Sequence, residues 1–205
     1  MITTVAFDYG KVLSGPQKAD RVAELQRLTG IPPDEFESYY RTDRLAYDRA
    51  DLTGREYWTN ILSRRGAPIR DDLITQLIAT DVASWLGRDE AMLAWTERLA
   101  AAGVRLAVLS NMPVDVRGPL VQTHGSWLAR FEHTIFSCDV KCVKPDAAIY
   151  ELLLAQLRVP AGEVLFIDDH PGNVAGAKAV GLHTIHFSTY AALAAEPMQE
   201  WGLVI

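Results

Sequence analysis

The chain has 205 residues, enough for one large domain or a core with a smaller insertion, and enough to bury a core without disulfides or structural metal. Hydrophobic residues make up 49%, charged residues 22%, and the formal net charge is −6, which opposes nucleic acid or an anionic membrane as the main partner. No apolar run approaches the roughly 20 residues that span a bilayer, and Met1-Ile2-Thr3-Thr4-Val5 has no basic leader. The two cysteines, Cys138 and Cys142, cannot make a tetrahedral zinc site alone and read as reduced thiols, so a cytoplasmic protein is expected.

Thr3-Thr4-Val5-Ala6-Phe7 is β-branched and apolar and stops at Asp8-Tyr9-Gly10, which predicts a short buried strand. Residues 17–85 contain no strand pattern. Val22, Leu25 and Leu28 space a helix over 19–28 that Gly30 and Pro32-Pro33 end. Thr53-Gly54-Arg55-Glu56 reads as a capping box opening another helix, and a third is expected over 72–79. Beyond residue 87 the pattern changes. A helix over 90–102 precedes the buried strand 104–109, a weaker strand follows at 133–136, and a helix at 145–157. A strand at 164–167, a helix at 174–180 and a strand at 183–187 complete the chain. Strands alternating with helices indicate an α/β fold with a parallel sheet, interrupted early by a helical insertion.

In such sheets ligands bind outside the carboxyl ends of the strands. Asp8 follows the first strand, Ser110-Asn111 the second, and Asp168-Asp169 the one ending at Ile167, while Lys144 precedes a helix. A carboxylate can attack a phosphoryl group and form an acyl-phosphate. One anion attacking another needs its charge neutralised, which Mg²⁺ and a lysine supply. One or two carboxylates suffice to hold Mg²⁺, and Asp8 and Asp169 fit that role. Adjacent carboxylates such as Asp168-Asp169 repel, which a metal relieves. Singly, each has a plainer reading: a turn at Asp8-Gly10, a helix cap at Ser110-Asn111, a solvated lysine at position 144.

Taken together, four motifs resemble the haloacid dehalogenase superfamily across nearly the whole chain. They are Phe7-Asp8-Tyr9-Gly10-Lys11-Val12-Leu13, Val108-Leu109-Ser110-Asn111, Val143-Lys144-Pro145, and Phe166-Ile167-Asp168-Asp169-His170-Pro171-Gly172-Asn173. The resemblance implies a Rossmann-like doubly wound core, residues 1–14 and 86–205, with a helical cap over residues 15–85. It implies Asp8 as nucleophile and metal ligand, the Gly10 carbonyl and Asp169 as further metal ligands, and Mg²⁺ as cofactor. Ser110 and Asn111 would bind the phosphoryl group, Lys144 would stabilise charge, and Asp168 and Asn173 would support the metal site. The implied activity is that of a phosphatase acting on a small phosphorylated metabolite, with a sugar phosphate as one guess, working as a monomer or homodimer.

One position departs from the pattern. Family phosphatases usually carry a second aspartate two residues after the nucleophile, to protonate the leaving group and then activate water. Here Gly10 stands there. A positioned acid–base contributes about 10²–10⁴-fold, so the chain should favour leaving groups that need little protonation, with Lys11 or a water as stand-ins. The alternatives are a 2-haloacid dehalogenase, which also lacks that aspartate but needs no metal and lacks a paired-aspartate site of the Asp168-Asp169 type, and a catalytically impaired phosphate-binding protein. Tyr39, Tyr40, Arg41, Arg44, Tyr47 and Arg49 read first as a solvated helix face with core tyrosines, and second as a cap surface facing an anion. The five tryptophans read as packing, His170 as an exposed loop residue, and His124, His133, His183 and His186 as structural.

Overall fold

The computed structural model describes residues 1–203; residues 204–205, the end of the expected core segment, lie outside the described residues. Strand β1 (Thr4–Phe7) is buried throughout, which explains why it lacks polar alternation: a strand covered on both faces must be apolar at nearly every position. A π-type turn over Tyr9–Leu13 follows, closed by Ser14 N–H donating to the Tyr9 carbonyl at 2.8 Å. The chain then runs through α1 (Ala19–Thr29), α2 (Pro33–Thr42), α3 (Arg44–Asp48), α4 (Gly54–Arg65) and α5 (Asp71–Trp85) before re-entering the sheet layer. There follow α6 (Glu90–Ala101), β2 (Arg105–Ser110), α7 (Val114–Leu128), β3 (His133–Phe136), α8 (Ser137–Val140) and α9 (Ala147–Leu157). The chain closes with β4 (Val164–Asp168), α10 (Pro171–Ala179), β5 (His183–His186) and α11 (Tyr190–Ala194).

The strands form one parallel sheet in the order β3-β2-β1-β4-β5. Phe7 pairs with Val108 on one side and Ile167 on the other. The chain therefore winds outward from β1 in both directions, and the crevice at the carboxyl ends of β1, β2 and β4 is the topological switch point. Side-chain alternation divides the core in two. Val5, Phe7, Val108 and Ile167 pack with Trp95 and Leu99 of α6 and Leu120 of α7. Ala6, Ala107, Leu109 and Phe166 pack with Tyr150 and Leu153 of α9 and Ala177 of α10. This is the doubly wound, Rossmann-like α/β architecture. A third apolar cluster, with Leu25, Phe36, Tyr57, Trp58 and Ile61, lies within the inserted helices.

All five expected strands form, their ends displaced by at most one residue. The capping box forms as well, with reciprocal bonds between Thr53 and Glu56. Helix α2 was hidden because Pro32-Pro33 reads as a stop, whereas Pro33 is its first residue, where the missing N–H has no intrahelical partner anyway. Helix α7 was hidden by Gly118-Pro119 in its interior. Both cysteines are free thiols. Among the described residues no helix is long and apolar enough to cross a membrane.

Trp58 is wholly buried and packs on Tyr40 and Tyr57. Trp58→Ala opens a cavity in the insertion, with an expected loss of about 3–5 kcal/mol, measured as a drop in the urea unfolding midpoint.

Candidate active site at the switch point

Lys144 organises the crevice. Its side chain is fully buried, and its Nζ donates to the Leu109 carbonyl at 2.9 Å and Asp168 Oδ2 at 2.6 Å, and lies 2.9 Å from Asp8 Oδ1. Three acceptors satisfy the three N–H bonds of an ammonium. Asp8 Oδ1 also accepts from Tyr9 N–H at 2.7 Å and Ser110 Oγ at 2.7 Å. One carboxylate oxygen is thereby held by three donors, while Oδ2 accepts no hydrogen bond from the described residues. Asp8 lines a cavity of about 350 Å³.

The Asn111 side chain is spent on the Lys144 backbone. Its amide bonds both ways with the Lys144 backbone, donating to the carbonyl at 2.9 Å and accepting from the N–H at 2.8 Å. It thus fixes the loop that carries Lys144. Asp168 accepts from Lys144, from His170 N–H at 2.8 Å and from Asn173 Nδ2 at 3.0 and 3.1 Å. Asn173 is held in turn by Tyr150, whose hydroxyl donates to its carbonyl at 2.8 Å. Gly176 permits this arrangement: a Cβ there would stand 2.6 Å from the Pro145 carbonyl, so only glycine lets α10 close on the Lys144 loop. Asp169 pairs with Lys11 at 3.2 Å, and the Lys11 backbone is left-handed (φ 60°). His170 caps α10 through Nδ1 and lines the cavity. His186, expected to be structural only, lies against the site: its Nε2 is 2.9 Å from the Asp169 carbonyl.

Burial pushes Asp8 up to about 7; Lys144 pulls the other way, and Asp168 pushes up again. Burial alone would lower Lys144, but Asp168 and Asp8 outweigh it and leave it raised, so the ammonium persists. Oxygens of Asp8, Asp168 and Asp169 lie within 4.8 Å of one another. Such an all-oxygen set fits Mg²⁺; Lys144 pairs with Asp8 and Asp168, and Lys11 with Asp169.

The inserted helices supply the opposite wall. Tyr40, Arg41, Arg44, Leu45, Asp48 and Trp85 line the cavity. The Tyr39–Arg49 cluster is therefore not mainly a solvated face. Tyr40 and Tyr47 are buried, and Arg44 is sunk among the rings of Tyr40, Tyr47 and Trp85. Arg44 Nε donates to Asp48 Oδ1 at 2.9 Å, and its Nη1 lies 3.4 Å from Asp81 Oδ2. The Tyr40 oxygen accepts from Arg44 and from Trp85 Nε1, and its O–H donates to Asp81 Oδ1 at 2.6 Å. Trp85, expected to be packing only, stands over position 10: a Cβ on Gly10 would meet its ring at 3.4 Å. The sequence held no signal for this, since a lone tryptophan at a helix end has no motif.

Residues 2–181 match the haloacid dehalogenase-like hydrolase model, and the chain belongs to that family. The sesquiterpene phosphatase astK of Aspergillus oryzae is 31% identical over 114 residues, covering 56% of this chain and 58% of that protein. Curated relatives are longer, the chain spanning 36% of one and 58% of another. The HAD family enzyme bt-2542 of Bacteroides thetaiotaomicron, solved with magnesium and inorganic phosphate, has the same fold. The match has a TM-score of 0.71 at 19% identity over 94% of this chain and 99% of that one. The L-2-haloacid dehalogenase of Xanthobacter autotrophicus, solved with chloropropionic acid covalently bound, matches with a TM-score of 0.66 at 23% identity over 97% of this chain and 83% of that one.

Asp8 carries a testable sign. Its folded value near 7 lies above its ordinary 3.8, so between those values the folded chain binds more protons than the unfolded one. That contribution to stability is present at low pH and is lost as pH rises through about 7. Urea midpoints of the chelator-treated protein should fall across this window, and less steeply in Asp8→Asn. Identical slopes in both proteins would contradict the assignment.

Proposed function

We propose that this protein is a magnesium-dependent phosphatase that acts on a small phosphorylated metabolite through an aspartyl-phosphate on Asp8. The observation that carries the reading is the asymmetry of Asp8. Oδ1 is anchored by three donors, which leaves Oδ2 oriented and unspent beside a cavity large enough for a small substrate. Lys144 offsets the charge of Asp8 and of the phosphoryl group as Oδ2 approaches phosphorus. The Ser110 hydroxyl and Asn111 backbone N–H are assigned to the phosphoryl oxygens, and the Asn111 side chain to holding Lys144. Asp8, the Gly10 carbonyl and Asp169 would hold Mg²⁺, which supplies Lewis-acid neutralisation when bound. Asp168 and Asn173 fix Lys144 and the start of α10. Residues 15–85 act in this reading as a cap over a core formed by residues 1–14 and 86–205. The magnesium–phosphate complex of bt-2542 and the phosphatase name of the Aspergillus relative support the choice.

The partner in this reading is a small phosphorylated molecule, sugar phosphates included, and not nucleic acid or a membrane, consistent with the formal charge of −6. The setting is cytoplasmic and the assembly a monomer or homodimer. Dehalogenation is the competing chemistry on the same nucleophile, and the acidic cluster of Asp8, Asp168 and Asp169 favours phosphoryl transfer over it.

A screen of phosphorylated metabolites with Mg²⁺ or with chelator should give phosphate release only with Mg²⁺. Asp8→Asn should lower turnover by at least about 10³-fold, as loss of a nucleophile does. Halide release from 2-haloacids without Mg²⁺, or retained turnover in Asp8→Asn, would overturn the proposal.

A further inference from the structure

The cavity lacks a carboxylate at Gly10, where a Cβ would sit in van der Waals contact with the Trp85 ring, 3.4 Å away. We infer that Asp48, at the C-terminal end of α3, supplies the missing acid–base group from the inserted helices. This inference rests on the phosphatase reading.

Most other titratable groups of the cavity are committed. The Tyr9 hydroxyl donates away from it, to the Trp85 and Gly87 carbonyls at 2.9 and 3.1 Å. Tyr40 is locked to Asp81 at 2.6 Å, Lys11 is paired with Asp169, and His170 spends Nδ1 on Gly172 N–H. Besides Asp8 and Asp169, Asp48 is the one carboxylate among the described residues that lines the cavity. Its Oδ1 takes Arg44 Nε at 2.9 Å, and its Oδ2 accepts no hydrogen bond from the described residues.

Its place is fixed against the core and not merely against the insertion. Ser137 Oγ donates to the Asp48 carbonyl at 2.6 Å and accepts from Met112 N–H at 2.9 Å, one residue beyond Asn111. One hydroxyl therefore ties Asp48 to the loop carrying the phosphoryl-binding residues. The charge balance suits a proton carrier. Asp48 is faced by Arg44 from its own helix, Asp81 from α5 and Lys144 from the loop before α9. One guanidinium sits between two buried carboxylates and neutralises only one. Burial raises both Asp48 and Asp81, and Asp48 is the one of the two that lines the cavity. Burial pushes it up, against the pull of Arg44.

The step balances as follows. Asp8 Oδ2 bonds to phosphorus while the P–O bond to the leaving group breaks, and the leaving oxygen takes the proton of Asp48 and departs as an alcohol. The Asp48 carboxylate then removes a proton from a water whose oxygen bonds to phosphorus. The P–O bond to Asp8 breaks, releasing inorganic phosphate, and both aspartates return to their starting forms.

The test measures kcat/KM with Mg²⁺ on glycerol phosphate and on 4-nitrophenyl phosphate, whose leaving group needs no proton. Asp48→Asn should lose about 10²–10⁴-fold on glycerol phosphate and under about tenfold on the aryl ester. Asp81→Asn removes the other partner of Arg44 outside the cavity and should lower both alike. Adding Gly10→Asp to Asp48→Asn should recover part of the glycerol phosphate rate. If Asp48→Asn does not fold, Asp48→Glu should keep the selectivity of wild type. The wild type itself should depend only weakly on leaving-group basicity. Equal losses on both esters, or a steep dependence in wild type, would overturn Asp48 while leaving phosphatase activity intact. No phosphate release from any ester would instead sink the phosphatase reading.

Discussion

An ammonium group shut away from water must find three acceptors and compensating charge, or give up its proton. Lys144 meets that requirement with the Leu109 carbonyl, Asp8 and Asp168, and the rest of the site follows from it. The three acceptors come from the carboxyl ends of β2, β1 and β4, so the ammonium joins three neighbouring strands where the winding reverses. Asn111 and Gly176 serve the same end, one by pinning the Lys144 backbone and the other by letting α10 close on it. A neutral residue at 144 would leave Asp8 and Asp168 as buried like charges with no cation between them.

The inserted helices answer the same physical problem differently. Their ionic cluster is not solvated at a surface but sunk among aromatic rings, where Arg44 is shared by Asp48 and Asp81 and the Tyr40 oxygen gathers two donors. Partly desolvated pairs of this kind contribute little net stability and are costly to break, so they fix geometry more than they add to folding energy. Tyr47 reaches Asp115 at 2.9 Å, and Ser137 reaches Asp48, which sets the insertion firmly against α7 and the crevice. The roof of the cavity is thus held by polar contacts to the core, and its lower part by the sheet.

Much of this was readable along the chain. Apolar, β-branched runs gave the strands, and the polar residues just beyond β1, β2 and β4 marked the crevice. Asp8, Ser110, Lys144, Asp168 and Asp169 do converge there. Those signals are local: burial forces apolar strands, and the sheet then brings their ends together. Less was readable in the helices. Pro33 punctuates both the end of one helix and the start of another, and sequence alone does not say which. Pro119 masked α7 because packing on the sheet tolerates a proline that an isolated helix would not.

What the sequence alone determined is the order of the elements and the chemical set at the strand ends, because short-range periodicity and residue type dictate both. Only the tertiary structure decided how each group is spent. It turned the Asn111 side chain to the Lys144 backbone, set Trp85 over Gly10, brought His186 to the Asp169 carbonyl, and aimed Asp48 into the cavity. Each of these contacts joins residues 17 to 89 positions apart in the chain. No local rule fixes such distances; they follow from how the inserted helices dock on the sheet.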